Sequence, residues 1–167
     1  MSSRRGDPAT AYIAIGSNLD DPRSQVESAM SLLDALPGCH IVARSSLYQS
    51  APFGGVAQDD FINAVVAVET VVPPAILLSC LKELERARGR DFSEERWGPR
   101  ILDLDILLYG EEVVDTQELQ IPHPGIGERN FVLLPLREIA ARLVIPGLGP
   151  LANIEISEES PRISKID

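Results

Sequence analysis

Asp103 and Asp105 stand two apart in Leu102-Asp103-Leu104-Asp105-Ile106-Leu107-Leu108, a segment otherwise wholly apolar. Extended chain turns successive side chains to opposite faces. The pattern therefore predicts a strand with Leu102, Leu104, Ile106 and Leu108 on one face and both aspartates on the other. At a strand's rise the two carboxylates lie about 6.5–7 Å apart. So deep in apolar sequence they repel each other and lose hydration, and a cation, or a proton on one of them, relieves the cost. Oxygen-only donors suit Mg2+, which commonly shares carboxylates with substrate phosphates. Two ions about 3.5–4 Å apart can share such a pair. The plainer alternative is an amphipathic strand with a solvated polar face, and the neighbouring residues shift the balance away from it.

Arg96-Trp97-Gly98-Pro99-Arg100 comes just before the pair. Gly98 and Pro99 turn the chain and bring Arg100 next to the carboxylates. From Lys82 to Arg100 there are 6 basic and 5 acidic residues, net +1, against 9 and 20, net −11, elsewhere. Carboxylates for a metal, flanked by planar guanidinium groups, are what a polyphosphate needs. Arg86, Arg88 and Arg90 can also be read as a solvated helix end favoured by the helix dipole.

His123 sits between Pro122 and Pro124. Two prolines stiffen the backbone and direct the imidazole, which could donate to a phosphate; a structural histidine is the other reading. His40 has no such context and reads as structural or exposed. Phe53, Phe61, Asn63 and Phe131 fall near strand ends or loops. Aromatic faces and an amide suit a flat heterocycle, the rings stacking and the amide reading its edge. Each phenylalanine alone reads equally as core. Neither Gly-x-x-x-x-Gly-Lys-Ser/Thr nor Gly-x-Gly-x-x-Gly occurs, so a nucleotide would be held by side chains and metal. No serine, cysteine or histidine arrangement suggests covalent catalysis.

These residues must be positioned by a fold that the periodicity outlines. Residues 1–10 read as a loose arm. Ala11 to Gly16 reads as a buried strand, followed by a helix capped by Asp21 with Pro22 in its first turn. Val26, Met30, Leu33 and Leu36 give that helix its apolar side, and Pro37-Gly38 ends it. His40–Tyr48 and Phe61–Thr70 read as strands, with a Pro/Gly-bearing loop between them at 49–59. Pro73-Pro74 opens a second helix reaching about Ala87. Ile101–Tyr109 is the clearest strand. A hairpin or excursion follows at 110–118, then a loop over 121–127 and a last helix over Phe131–Leu143. Residues from 151 read as a polar, frayed tail. The order β-α-β-β-α-β predicts an α+β fold, a ferredoxin-like split βαβ core whose antiparallel sheet carries its helices on one face. Residues 11–150 read as one domain that holds all the candidate site residues, and 151–167 as the tail.

The chain has 167 residues, enough for one domain with its own core. Apolar residues make up 44% and charged residues 24%, which excludes wholesale disorder. A net charge of −10 counts against general binding of nucleic acid or an anionic membrane, and leaves room for a local basic pocket. Cys39 and Cys80 are too few for a disulfide framework and lack metal-ligand spacing, so both read as reduced thiols. Without a signal-like start or an apolar run long enough to span a bilayer, the expected location is the cytoplasm.

Four blocks together resemble the 6-hydroxymethyl-7,8-dihydropterin pyrophosphokinase family of folate biosynthesis. They are Ala11-Tyr12-Ile13-Ala14-Ile15-Gly16-Ser17-Asn18-Leu19, Phe61-Ile62-Asn63-Ala64, Glu95-Arg96-Trp97-Gly98-Pro99-Arg100-Ile101-Leu102-Asp103-Leu104-Asp105, and Ile121-Pro122-His123-Pro124 with Glu128-Arg129-Asn130-Phe131. The resemblance covers about Ala11 to Pro146. It implies transfer of diphosphate from ATP to the pterin hydroxymethyl group, with release of AMP. By that resemblance Asp103 and Asp105 hold two Mg2+ ions. Arg90, Trp97, Arg100, His123 and Arg129 line the ATP side, with Glu85 nearby, and Arg90 and Arg100 offset the charge on the transferred group. Asn63 hydrogen-bonds the pterin, Phe61 and Phe131 sandwich it, and Ser50 and Phe53 close around it. A monomer is expected on the same ground. Departures from the family pattern are Phe92 where a second arginine is common, Phe61 in place of a tyrosine, and Pro124 after the histidine. Other readings are a single-phosphoryl transferase, which would release ADP, a non-catalytic ligand-binding module, and an RNA-binding sheet.

Overall fold

The computed structural model describes residues 7–52, 57–89 and 101–166. In chain order the elements are β1 (Ala9–Ser17), α1 (Pro22–Asp34), β2 (Cys39–Arg44), β3 (Leu47–Ser50), β4 (Phe61–Thr70), α2 (Pro74–Ala87) and β5 (Asp103–Tyr109). Then come β6 (Val114–Asp115), β7 (Gln120–Ile121), α3 (Asn130–Ile139), β8 (Val144–Ile145), β9 (Gly149–Pro150) and β10 (Ile163–Ile166). The main sheet is antiparallel and runs β10-β3-β4-β1-β5, with β2 also paired to β4. This is the split βαβ arrangement that the element order predicts, with β2 and β3 as two halves of one bent strand.

The bend has a local cause. The Ser45 amide donates to the Val65 carbonyl at 2.9 Å, and the Ser45 hydroxyl accepts from the Val65 amide at 2.9 Å. The side chain stands in for a backbone acceptor where the ladder breaks, so the expected single strand over 40–48 divides in two. Helix α1 begins as its sequence predicts, with Asp21 accepting from the Ser24 amide and Pro22 in the first turn.

Two cores flank the sheet. On one side Val26, Ala29, Met30 and Leu33 of α1, with Leu77 and Leu81 of α2, pack on Ile13, Ile15, Ala64, Val66, Leu104 and Ile106. On the other side Val132, Leu133 and Leu136 of α3 pack on Val65, Leu107 and Leu108. The helices are therefore not confined to one face. Residues Asn63–Val68 of β4 are all buried, and a strand covered on both sides needs the continuous Val/Ala run found there. Each fully buried Leu or Val contributes about 1.5–3 kcal/mol.

Two further expectations change. The ladder between β1 and β5 slips, pairing Ile13 with Ile106 and Tyr12 with Leu108, so that Leu107 is the extra residue of a bulge. Leu107 and Leu108 thus both join the α3 core. Leu108 leaves the face it was expected to share with Leu104 and Ile106. The tail is not frayed. Ile163–Ile166 pairs with β3 as an edge strand, and Ile163 is buried against Tyr48 and Leu134. The last helix ends at Ile139, short of the expected Leu143. No helix among the described residues is long and apolar enough to cross a membrane.

Candidate active site

Gly16 of β1 lies in register between Asn63 of β4 and Asp103 of β5, and Tyr48 of β3 lies opposite Asn63. One row across four strands therefore reads Tyr48, Asn63, Gly16, Asp103. Two residues along, the next row on this face reads Val65, Ala14, Asp105. This is the face covered by α3, as Val65 shows. At strand spacings of about 4.8 Å, Asn63 and Asp103 stand roughly 10 Å apart, with only the bare backbone of Gly16 between them. A Cβ at Gly16 would meet Asn63 Oδ1 at 3.4 Å and Phe61 Cδ1 at 3.9 Å. The missing side chain leaves a floor between an amide and a carboxylate pair.

Each wall of that floor is fixed by its element. Asn63 is buried, and its Nδ2 donates to Ser50 Oγ at 2.7 Å. That bond orients the amide and leaves Oδ1 on the Gly16 side. Phe61 opens β4, and Phe131 stands in the first turn of α3. Asn18, only 3% exposed, ties the end of β1 to the chain entering β4: its Nδ2 donates to Gln58 Oε1 at 2.8 Å and to the Asp59 carbonyl at 3.0 Å.

The carboxylate side has its own brace. Asp103 and Asp105 are half-buried on β5, while Leu104 between them is buried in the other core. Strand β5 is an edge, so the amide of Leu104 that points away from β1 needs a partner. Glu85 of α2, 3% exposed, supplies it: Oε2 accepts that amide at 3.1 Å. Glu85 thus holds the strand at the point between the two aspartates. Among the described residues no group of three or more His, Cys, Asp and Glu gathers. A pair of hard oxygen donors, open to phosphate oxygens and water for the remaining positions, fits Mg2+ and not the nitrogen and sulfur preference of Zn2+.

His123 reaches the same region through the bulge in β5, its amide donating to the Leu107 carbonyl at 2.9 Å. The Nδ1 atom accepts from the Gly125 amide at 3.1 Å, so in the neutral ring the proton is on Nε2. Burial chiefly, with the Arg129 guanidinium, lowers the His123 pKa to about 4, against an opposing pull from Asp103. Arg129 lies against the Gly125 backbone, where a Cβ would come within 2.6 Å of Nε and 2.8 Å of Cζ. Glycine at 125 thus makes room for the cation beside the imidazole.

A titration follows from this geometry. The chain has 2 histidines, so the ring resonances of His123 can be assigned by a single substitution at His40. His123 is expected to titrate at about 4 and so to remain a neutral Nε2 donor near neutral pH. The unfolded chain takes up a proton near 6.5 and the folded ring does not. The contribution of His123 to stability is therefore flat above about pH 6.5 and falls as pH drops from there towards 4. Titration of the folded ring near 6.5 by NMR would overturn the buried placement.

Of the residues proposed from sequence, Ser50, Phe61, Asn63, Glu85, Asp103, Asp105, His123, Arg129 and Phe131 are described. Phe53, Arg90, Trp97 and Arg100, and the departure at Phe92, lie outside the described residues. Asn63, Phe61 and Ser50 gather on one side of Gly16 and the aspartates on the other, while His123 and Arg129 form a pair. Gly16, Asn18 and Gly125 are additions that the structure makes to the residues proposed from sequence. A glycine interrupting an Ala/Ile strand signals a close backbone approach, and Gly16 had that signal. Gly125 had none, because its neighbour Arg129 is brought to it by the turn at Ile126–Glu128.

The sequence model of the family described as 7,8-dihydro-6-hydroxymethylpterin-pyrophosphokinase (HPPK) matches residues 12–141. The 2-amino-4-hydroxy-6-hydroxymethyldihydropteridine pyrophosphokinase of Haemophilus influenzae is 47% identical over 137 residues, covering 82% of this chain and 85% of the relative. The protein of the same name from Bacillus subtilis is 41% identical over 133 residues, covering 80% and 79%. A Plasmodium falciparum HPPK-DHPS crystal structure with pteroate superimposes with a TM-score of 0.71 at 16% identity, over 92% of this chain. The chain spans 43% of that longer protein, and at this identity the likeness speaks for the fold alone.

Proposed function

The chain belongs to the 7,8-dihydro-6-hydroxymethylpterin-pyrophosphokinase family, and we propose that its Gly16 floor is where that family's two substrates meet. The reaction transfers the diphosphate of ATP to the hydroxymethyl group of 6-hydroxymethyl-7,8-dihydropterin, in folate biosynthesis. The hydroxymethyl oxygen bonds to the β-phosphorus and the bond from that phosphorus to the α-phosphate oxygen breaks. AMP leaves with that oxygen, and the hydroxyl proton passes to solvent.

The observation that carries the reading is the register of Asn63, Gly16 and Asp103. Asn63 Oδ1 reads the donor edge of the pterin, Phe61 and Phe131 stack on its faces, and Ser50 keeps the amide from flipping. A ring spanning the glycine directs its hydroxymethyl group towards Asp103 and Asp105. This pair would hold two Mg2+ ions, which when bound screen the phosphates and ease loss of the hydroxyl proton. His123 Nε2–H donates to a phosphate oxygen as a neutral group, so it neither gains nor loses charge near neutral pH. Arg129 adds a fixed positive charge beside it, and Glu85 keeps the carboxylate strand in place. Arg90, Arg100 and Trp97 complete the ATP side in this reading, and Phe53 the pterin side. Four roles thus divide among the elements: β4 recognises the pterin, β1 clears the floor, β5 carries the charge, and the turn before α3 meets the nucleotide. We read the enzyme as a monomer on the family resemblance, and as acting in the cytoplasm.

Nucleotide product analysis tests the reaction. With ATP, Mg2+ and 6-hydroxymethyl-7,8-dihydropterin, AMP and pterin diphosphate are expected in equal amounts. ADP would mean single-phosphoryl transfer and overturn it.

A further inference from the structure

The C-terminal segment lies beyond residues 12–141 that match the family, yet it touches the pterin side of the site at several points. Strand β10 pairs with β3 so that Ile163 stands opposite Ser50, the residue that orients Asn63. The ladder continues past the strand end, the Ala51 amide donating to the Arg162 carbonyl at 2.9 Å. Arg162 Nη2 reaches Asp60 Oδ2 at 3.3 Å, immediately before Phe61. Ile156 packs on the cluster of Tyr48, Leu134 and Ile163, and so does Phe131.

Asn130 closes this arrangement. It is 3% exposed and directly precedes Phe131. Its Nδ2 donates to the Ser157 carbonyl at 2.8 Å and to the Pro161 carbonyl at 2.7 Å. Both amide hydrogens therefore go to the tail. Its Oδ1 is buried with no hydrogen-bond partner among the described residues, an arrangement that costs stability. The side chain is turned to serve the tail even at that expense.

We infer that residues 156–166 are a positioning element of the pterin site, setting Phe131 from behind and Ser50 from the side. The inference rests on the assignment of Phe131, Ser50 and Asn63 to the pterin. Among the described residues these contacts go to Ser50, Ala51, Asp60, Asn130 and the Tyr48 cluster, so the larger effect is expected on the pterin. Asn130 and Ile156 are positioning residues; neither need touch the ligand.

The test is separate titration of full-length variants with the pterin and with a non-hydrolysable ATP analogue, at a temperature where each is folded by circular dichroism. Asn130→Ala removes both donors to the tail. It is expected to raise the pterin Kd about fivefold and to change the nucleotide Kd less than twofold. Ile156→Ala, which removes packing from the cluster that Phe131 also rests on and no hydrogen bond, is expected to shift in the same direction and serves if Asn130→Ala does not fold. Equal weakening of both ligands, or no change in pterin affinity, overturns the inference. Phe131→Ala separates this failure from failure of the site assignment. If Phe131→Ala weakens the pterin and the tail variants do not, the tail is only structural. If Phe131→Ala leaves pterin affinity unchanged, the assignment of the site itself falls, and the inference with it.

Discussion

Asp105→Asn is expected to lower kcat by roughly 10²–10³-fold or more, the loss seen when one preorganised charged or polar group is removed from a reacting centre. The substitution keeps the size and shape of the side chain and removes its negative charge. Asp105 stands on the α3 face of β5 beside Ala14 of β1 and is half-buried. Its strand neighbours Leu104 and Ile106 carry the packing on the other face. The apolar packing of the strand lies on that other face and is untouched, so Tm should change by only a few degrees. The Mg2+ concentration for half-maximal activity should rise as well, because one of two anionic oxygen donors is lost. Steady-state kinetics at several Mg2+ concentrations, with a thermal melt of the same sample, check all three. A folded Asp105→Asn enzyme with near-parental kcat would remove the carboxylate pair from the mechanism.

That pair was legible in the sequence because it depends on only one strand's alternation. Leu102 to Ile106 keep period two, so the faces of Asp103 and Asp105 follow from local geometry alone. The alternation fails at Leu107, where the ladder to β1 slips and the carbonyl turns to the His123 amide. A bulge is a relation between two strands and leaves no mark within one. The same limit hid the bend at Ser45, which exists because a hydroxyl replaces a backbone acceptor opposite Val65. It also hid β10. Ile163-Ser164-Lys165-Ile166 is short and half polar, and only the free edge of β3 makes it a strand. Glu85 could be attached to the nucleotide side by resemblance. Its bond to the Leu104 amide needs α2 laid along the edge of β5, which no spacing within the helix discloses. Local patterns thus reached most of the elements and the shared face of the two aspartates, whereas the registers that bring Asn63, Gly16 and Asp103 into one row lay between segments distant in sequence.

Gly16→Val tests that row directly. Valine suits a strand, and the backbone of Gly16 is part of the regular β1 ladder, so the variant should fold. Its Cβ alone would stand 3.4 Å from Asn63 Oδ1, and the γ-methyl groups extend farther into the space above the floor. They would occupy the gap between the amide and Asp103 that the pterin ring crosses in the proposed arrangement. The expected result is a fall of about 100-fold or more in kcat/KM for the pterin, with nucleotide affinity changed less than threefold; misplacing a substrate by about 1 Å already costs this much. Gly16→Ala should give a smaller loss, since a lone Cβ 3.4 Å from Asn63 Oδ1 is only in van der Waals contact. A graded loss from glycine to alanine to valine, at constant Tm, separates a steric floor from a folding defect. If Gly16→Val binds the pterin as tightly as the parent, the ring does not cross β1, and the two substrates must meet elsewhere on the sheet.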